Sequence, residues 1–175
     1  MEKIIFTGPM GAGKTTAISS ISEVPPISTD VRCSDNEGQA RKETTTVAMD
    51  YGYFTLDDGQ RVHLYGTPGQ QRFDYMWTIL AQGGIGLVLL LDNARPDPLA
   101  DLEFYLDSFK DFINQTGAVI GITRMDVSNH VSLDDYRNKL MSRNQIFPLF
   151  EIDARQANDV KILVHALLAI LQAQM

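Results

Sequence analysis

The sequence predicts a doubly wound α/β domain, a mostly parallel sheet of about six strands with helices on both faces. Three observations predict it. Strand-like and helix-like patterns alternate from end to end of the 175 residues. Two near-continuous apolar runs, Gly84 to Asp92 and Ala118 to Ile122, read as central strands covered on both faces. A glycine-rich turn, Gly8-Pro9-Met10-Gly11-Ala12-Gly13-Lys14-Thr15, joins the first strand to the first helix.

The elements follow in order. Ile4 to Phe6 form a short buried strand, and Lys14 to Ser22 the first helix. Ser22 to Thr46 holds Pro25, Pro26 and Gly38 among polar residues without a period, so a long functional loop is expected there. Val47 to Leu56 and Arg61 to Tyr65 flank Asp57-Asp58-Gly59, a hairpin signal, which makes one strand antiparallel. Leu99 to Ile113 has helical spacing, and Leu133 to Met141 is a further helix. Ile146 to Ile152 reads as the last strand. Val160 to Leu171 is the closing helix, with Ile162, Leu163, Leu167 and Ile170 expected toward the sheet. No repeat or linker interrupts this order, so residues 1–175 are expected to form a single domain.

Composition narrows the functional classes. The chain is 44% hydrophobic and 21% charged, the balance of a globular protein. Fifteen basic against 22 acidic residues leave a formal charge of −7, which argues against a nucleic-acid partner. A single cysteine, Cys33, rules out an intrachain disulfide and suits a reducing, cytoplasmic setting. Glu2 and Lys3 lead straight into a strand, so no signal peptide is expected. The apolar run Ile85 to Leu91 is too short to span a bilayer, and neither end carries a lipidation signal, so no direct membrane anchor is expected.

Gly8-x-x-x-x-Gly13-Lys14-Thr15 matches the P-loop pattern in full, between a strand and a helix. Glycines let successive N–H groups curl inward and let phosphate oxygens approach bare Cα atoms. The helix N-terminus adds its positive dipole end. Gly8, Gly11, Ala12, Gly13, Lys14, Thr15 and Thr16 are therefore the expected phosphate cradle. Lys14 would neutralise the β- and γ-phosphates, and the Thr15 hydroxyl would ligate Mg²⁺.

The P-loop alone does not choose the base. Thr123-Arg124-Met125-Asp126, directly after an apolar strand, resembles the Asn-Lys-x-Asp guanine-recognition motif of Ras-like GTPases. A carboxylate at Asp126 can accept hydrogen bonds from guanine N1–H and its 2-amino group, donors that adenine does not present there. Arg124 can still cover a base face with its flat guanidinium. Thr123 has one donor where the family has an amide, which implies a weaker tie to the P-loop. Asp153-Ala154-Arg155 resembles the Ser-Ala-Lys motif, in which the backbone N–H at Ala154 would contact guanine O6, with Arg155 alongside.

Gly66-Thr67-Pro68-Gly69-Gln70 resembles the Asp-x-x-Gly-Gln segment of the same proteins. The resemblance implies that the Gly69 N–H senses the γ-phosphate and that Gln70 orients the attacking water. Gly66 stands where the family has its Mg²⁺-linked Asp. Metal binding would then rest on Thr15 and a switch threonine, with weaker Mg²⁺ dependence expected. Thr46 aligns best as that threonine, with Thr44 and Thr45 as alternatives. Arg32 or Arg41 could act as an internal arginine finger or as solvated charges. Phe73, Tyr75, Met76 and Trp77 read either as a partner patch or as packing.

Together these motifs, from Gly8 to Arg155, resemble Ras-superfamily small GTPases of bacterial type, in particular the gliding-motility and roadblock-associated group. That resemblance implies a GTP/GDP switch with Mg²⁺, slow hydrolysis, and a roadblock-domain partner acting as activator or effector. A nucleotide-binding scaffold that scarcely cleaves GTP, and an ATP-dependent phosphotransferase, are the alternatives.

Overall fold

A computed structural model describes residues 2–35, 43–69 and 74–174, with backbone alone for 29–35, 43–48, 74 and 75. The chain runs β1 (Glu2–Thr7), α1 (Lys14–Ile21), β2 (Ile27–Asp35), β3 (Glu43–Thr55), β4 (Arg61–Gly66), α2 (Asp74–Leu80) and β5 (Gly86–Asp92). It continues through α3 (Pro98–Ser108), α4 (Lys110–Gln115), β6 (Ala118–Thr123), α5 (Leu133–Ser142), β7 (Leu149–Glu151) and α6 (Ala157–Ala173). The strands form one seven-stranded sheet in the order β2-β3-β4-β1-β5-β6-β7. β3 is antiparallel to both neighbours, and every other pairing is parallel.

Alternation along the central strands explains their unbroken apolar sequences. Ile5, Leu87, Leu89, Leu91, Ile120 and Ile122 pack on one face, with Leu102 and Tyr105 of α3 and Tyr136 of α5. Ile4, Phe6, Val88, Leu90 and Val119 pack on the other, with Ile18 of α1 and Leu163 of α6. Both faces are buried, so these strands stay apolar until their carboxyl ends, where Thr7, Asp92 and Thr123 stand.

Four expectations change. The segment 22–46 is not a structureless loop: Ile27 to Asp35 pair one-to-one with Tyr51 to Glu43 in an antiparallel ladder. The sequence carries a strand signal that the loop expectation passed over: Ile27, Thr29, Val31 and Cys33 alternate with Ser28, Asp30, Arg32 and Ser34. The helix expected over Leu99 to Ile113 breaks at Phe109, which is the C-cap of α3 and the N-cap of α4. β7 spans only Leu149–Glu151, because Pro148 has no N–H for the ladder. On α6, Ile162 is 49% exposed, and Val160, Leu163, Val164 and Leu167 form the buried face.

The tertiary fold also adds α2, whose Met76 and Trp77 are fully buried. Trp77 stacks on Tyr105 and Phe109 at 5.0 and 5.3 Å, so it is packing and not a surface patch. Phe73 lies outside the described residues. No helix among the described residues is long and apolar enough to cross a membrane.

β1 lies between β4 and β5, and the chain crosses from one side of it to the other. This is the topological switch point at which doubly wound sheets hold ligands, outside the carboxyl ends of the strands. The ends of β1, β4, β5, β6 and β7 deliver Gly8, Thr67, Asp92, Thr123 and Asp153 to that edge.

Candidate nucleotide-binding site

The turn after β1 is shaped by three glycines with positive φ: Gly8 at 146°, Gly11 at 81° and Gly13 at 98°. A Cβ on Gly8 would fall 2.0 Å from the Leu90 carbonyl oxygen, and one on Gly13 would fall 2.9 Å from Ala154 Cβ. Gly13 is the N-cap of α1 and uses no side chain to cap it. The first N–H groups of that helix therefore face the turn.

Lys14 doubles back over this turn, its Nζ donating to the carbonyls of Gly8 at 2.6 Å and Pro9 at 2.9 Å. Burial lowers its pKa from 10.5 to about 8; the Asp50 carboxylate opposes that shift and Arg95 adds to it. The folded pKa lies below the ordinary lysine value, so the fold prefers Lys14 neutral. Protonation here costs stability below about pH 8, and the cost fades as pH rises from 8 toward 10.5. Phosphates would raise this pKa again. Nucleotide binding at pH 9 is therefore expected to take up about one proton, with affinity falling roughly tenfold per unit above pH 8. Calorimetry at pH 9 in buffers of different ionisation enthalpy checks this. An identical heat in every buffer would contradict it.

Beside the turn opens a cavity of about 650 Å³ lined by Gly11, Ala12, Gly13 and Thr16, by Thr123 to Val127, and by Glu151 to Arg155. Thr123 is buried, and its hydroxyl lies within donating distance of the Ala12 carbonyl at 3.1 Å and the Leu91 carbonyl at 3.2 Å. The tie to the P-loop is therefore made, with one hydroxyl in place of an amide. Arg124 adopts a left-handed φ of 58°. Its Nε donates to Asp92 Oδ1 at 2.9 Å, and its second nitrogen contacts Asp92 Oδ2. The guanidinium is thus pinned at the rim by a buried carboxylate, which fixes the stem along the cavity wall. Asp126 is exposed on the same rim and, among the described residues, has no side-chain partner.

Ala154 is buried against Gly13. Arg155 pairs with Asp153 through two contacts of 2.9 and 2.8 Å, and this pairing holds the Asp153 carboxyl down to about 2. The pair restrains the turn that would present the Ala154 N–H.

A second cleft of about 380 Å³ continues from the turn past Lys14 and Thr15 to Asp50, Gly66, Thr67, Pro68 and Gly69. A Cβ on Gly69 would come within 2.9 Å of the Met10 backbone nitrogen, so this position has no room for a side chain. The buried hydroxyls of Thr7 and Thr67 meet at 2.8 Å and hold the end of β4 to the end of β1. Trp77 Nε1 donates to the Pro68 carbonyl at 3.2 Å, linking this turn to α2. Trp77 is the chain's only tryptophan. Its emission is expected to shift when a diphosphate nucleotide is replaced by a triphosphate analogue. An unchanged spectrum in both states would mean that the turn does not respond to the terminal phosphate.

Gln70 and Arg41 lie outside the described residues. Thr46 lies in β3 opposite Arg32 of β2, four positions before Asp50. Thr45 and Thr44 precede it in the same strand, opposite Cys33 and Ser34.

Sequence reasoning passed over three residues that the fold brings to the site. Asp92 holds Arg124. Asn93 is buried and donates through Nδ2 to the carbonyls of Ser128 at 2.6 Å and Val131 at 3.0 Å. Its Oδ1 accepts from the Tyr136 hydroxyl at 2.6 Å, so it clamps the loop that carries Asp126. The available signal was polar Asp92-Asn93 ending an apolar strand, the place where such sheets bind ligands. Asp50 is the third. Its Oδ2 accepts from the Thr15 hydroxyl.

A family model described as "Conserved hypothetical ATP binding protein" matches residues 6–172. An uncharacterised protein of Methanocaldococcus jannaschii is 29% identical over 160 residues, covering 80% of this chain and 95% of that one. The mutual gliding-motility protein MglA of Myxococcus xanthus is 26% identical, over 81% of this chain and 76% of its own. The Ras-related protein Rab-13 of Mesocricetus auratus is 23% identical, over 90% of this chain and 73% of its own. A P-loop, a mostly parallel sheet and these relatives make this a nucleotide-binding protein with a small-GTPase-like fold.

Proposed function

From a chain that belongs to the conserved hypothetical ATP binding protein family, we propose a GTP-binding switch that slowly hydrolyses GTP to GDP and phosphate. The observation that carries the choice of base is Asp126. It stands without a side-chain partner, among the described residues, on the rim of the cavity that the P-loop also lines. Guanine offers that carboxylate two donors, and adenine offers none at the same edge, so adenine would desolvate the charge without compensation. The family description names ATP, and this residue is the specific reason to read guanine for this chain.

In this reading Thr123 to Asp126 and Ala154 hold the base, the turn from Gly8 to Thr16 holds the phosphates, and Lys14 neutralises charge at the terminal phosphate. Gln70 follows Gly69 directly and orients the attacking water. The donors present suit Mg²⁺: the Thr15 hydroxyl and a neighbouring carboxylate are hard oxygen groups, and phosphate oxygens and water would complete the shell. Among the described residues no group of three or more His, Cys, Asp or Glu side chains forms a cage without them. Bound there, the ion supplies charge neutralisation to the phosphates. A roadblock-domain protein is the stimulating partner that the resemblance to MglA-type proteins implies.

Isothermal titration with GDP and with ADP tests the base, and tighter ADP binding would overturn it. Single-turnover GTP hydrolysis with and without Gln70→Leu tests the chemistry, and an unchanged rate would remove Gln70 from its role.

A further inference from the structure

Residue 66 is the position at which Ras-like proteins carry their metal-linked Asp, and here it is Gly66. The β3–β4 ladder sets Asp50 directly opposite Gly66. Directly opposed residues project to the same face of a sheet, with neighbouring Cβ positions. A Cβ built on Gly66 would lie 3.4 Å from Asp50 Cβ and 3.7 Å from Asp50 Oδ2. The Asp50 carboxylate therefore lies in ordinary contact with the point from which a side chain on residue 66 would start. It reaches the same cleft from the adjacent strand, and its carboxylate already meets the Thr15 hydroxyl.

A carboxylate at this spot needs a reason, because the cleft is otherwise built for anions. The glycine turn, the α1 N-terminus and Lys14 all favour negative charge, and phosphates arriving there would be repelled by Asp50. A divalent cation between carboxylate and phosphate turns that repulsion into attraction. Resting on the functional reading above, we propose that Asp50 is the carboxylate of the Mg²⁺ site. It contacts the ion directly or through one water, in the place of an acidic residue at position 66. The expectation of weak Mg²⁺ dependence then reverses: nucleotide binding depends strongly on the metal, because without it Asp50 opposes the phosphates.

The test is release of a fluorescent GDP across a Mg²⁺ titration, with an EDTA arm, for the wild type, Asp50→Asn, Asp50→Ala and the double variant Asp50→Ala with Gly66→Asp. Asp50→Asn is expected to raise the half-saturating Mg²⁺ concentration about 10–100-fold. In EDTA the same variant is expected to hold GDP as well as or better than the wild type, which a merely structural role for Asp50 would not produce. The double variant is expected to recover most of the Mg²⁺ response. Position 66 has no positive φ, and the nearest obstacle is the flexible end of Ile18 at 3.1 Å.

An unchanged half-saturation in Asp50→Asn, with GDP still bound, would overturn the Asp50 assignment alone. A double variant that melts like the wild type but stays as weak as Asp50→Ala would overturn the substitution of Asp50 for a carboxylate at position 66. A wild type that holds no GDP under either condition would overturn the guanine reading and the Asp50 assignment together.

Discussion

Gly8→Ala is expected to abolish nucleotide binding and to lower the melting temperature by roughly 10 °C, through a loss of about 3–5 kcal/mol. Two costs add at this residue. Its φ of 146° lies where L side chains are strained. The new methyl would also meet the Leu90 carbonyl oxygen at 2.0 Å, and that oxygen belongs to a central strand. Leu90 pairs with Gly121 of β6 and follows Leu89, which pairs with Thr7 of β1, so it cannot withdraw without straining the centre of the sheet. Gly11→Ala is the control. Its φ of 81° is also positive, yet nothing lies within 4 Å of the added Cβ, so only about 1–2 kcal/mol of backbone strain is expected. Thermal melts and nucleotide titrations of the two variants make the comparison. Equal effects would show that backbone strain alone, and not the close approach to β5, governs this turn.

Asp126→Ala is expected to leave the fold intact and to reduce the preference for GDP over ADP about 100-fold or more. The carboxylate is exposed and, among the described residues, has no side-chain partner, so its removal orphans nothing within the protein. What it takes away is two charge-assisted acceptors for guanine, each contributing about 1.5–3 kcal/mol in a desolvated contact. Affinity for the phosphate end should persist, because the glycine turn and Lys14 are untouched. Competition of unlabelled GDP and ADP against one fluorescent nucleotide measures the ratio. A variant that discriminates as well as the wild type would move base recognition away from this loop.

Much of this was legible in the sequence, for identifiable reasons. The strands covered on both faces announce themselves, because a strand buried twice has no polar side; Leu87 to Leu91 and Ala118 to Ile122 are of this kind. The phosphate turn is legible because its backbone needs glycine at Gly8, Gly11 and Gly13, and a helix must start immediately after it. Local patterns also marked the hairpin at Asp58-Gly59 and the closing helix, although the face of α6 was misjudged at Ile162. β2 is legible only in part: Ile27, Thr29, Val31 and Cys33 alternate with polar residues, but Pro25, Pro26 and Gly38 around them give the segment the composition of a loop. The short helix with Trp77 was missed for a related reason: its apolar residues read equally well as a surface patch.

By itself, the sequence determined a mostly parallel α/β sheet and a glycine turn able to cradle phosphates. It also placed a candidate base-reading loop after the strand that ends at Thr123. These properties depend on residues close together in the chain, where spacing and backbone need are visible. Only the tertiary structure decided which distant groups share the site: Thr123 on the Ala12 carbonyl, Arg124 on Asp92, Asn93 on the loop from Ser128 to Val131, and Asp50 on Thr15. Strand register sets those meetings. Gly66 marks the limit of motif reading, since the carboxylate missing from its own position stands directly across the ladder.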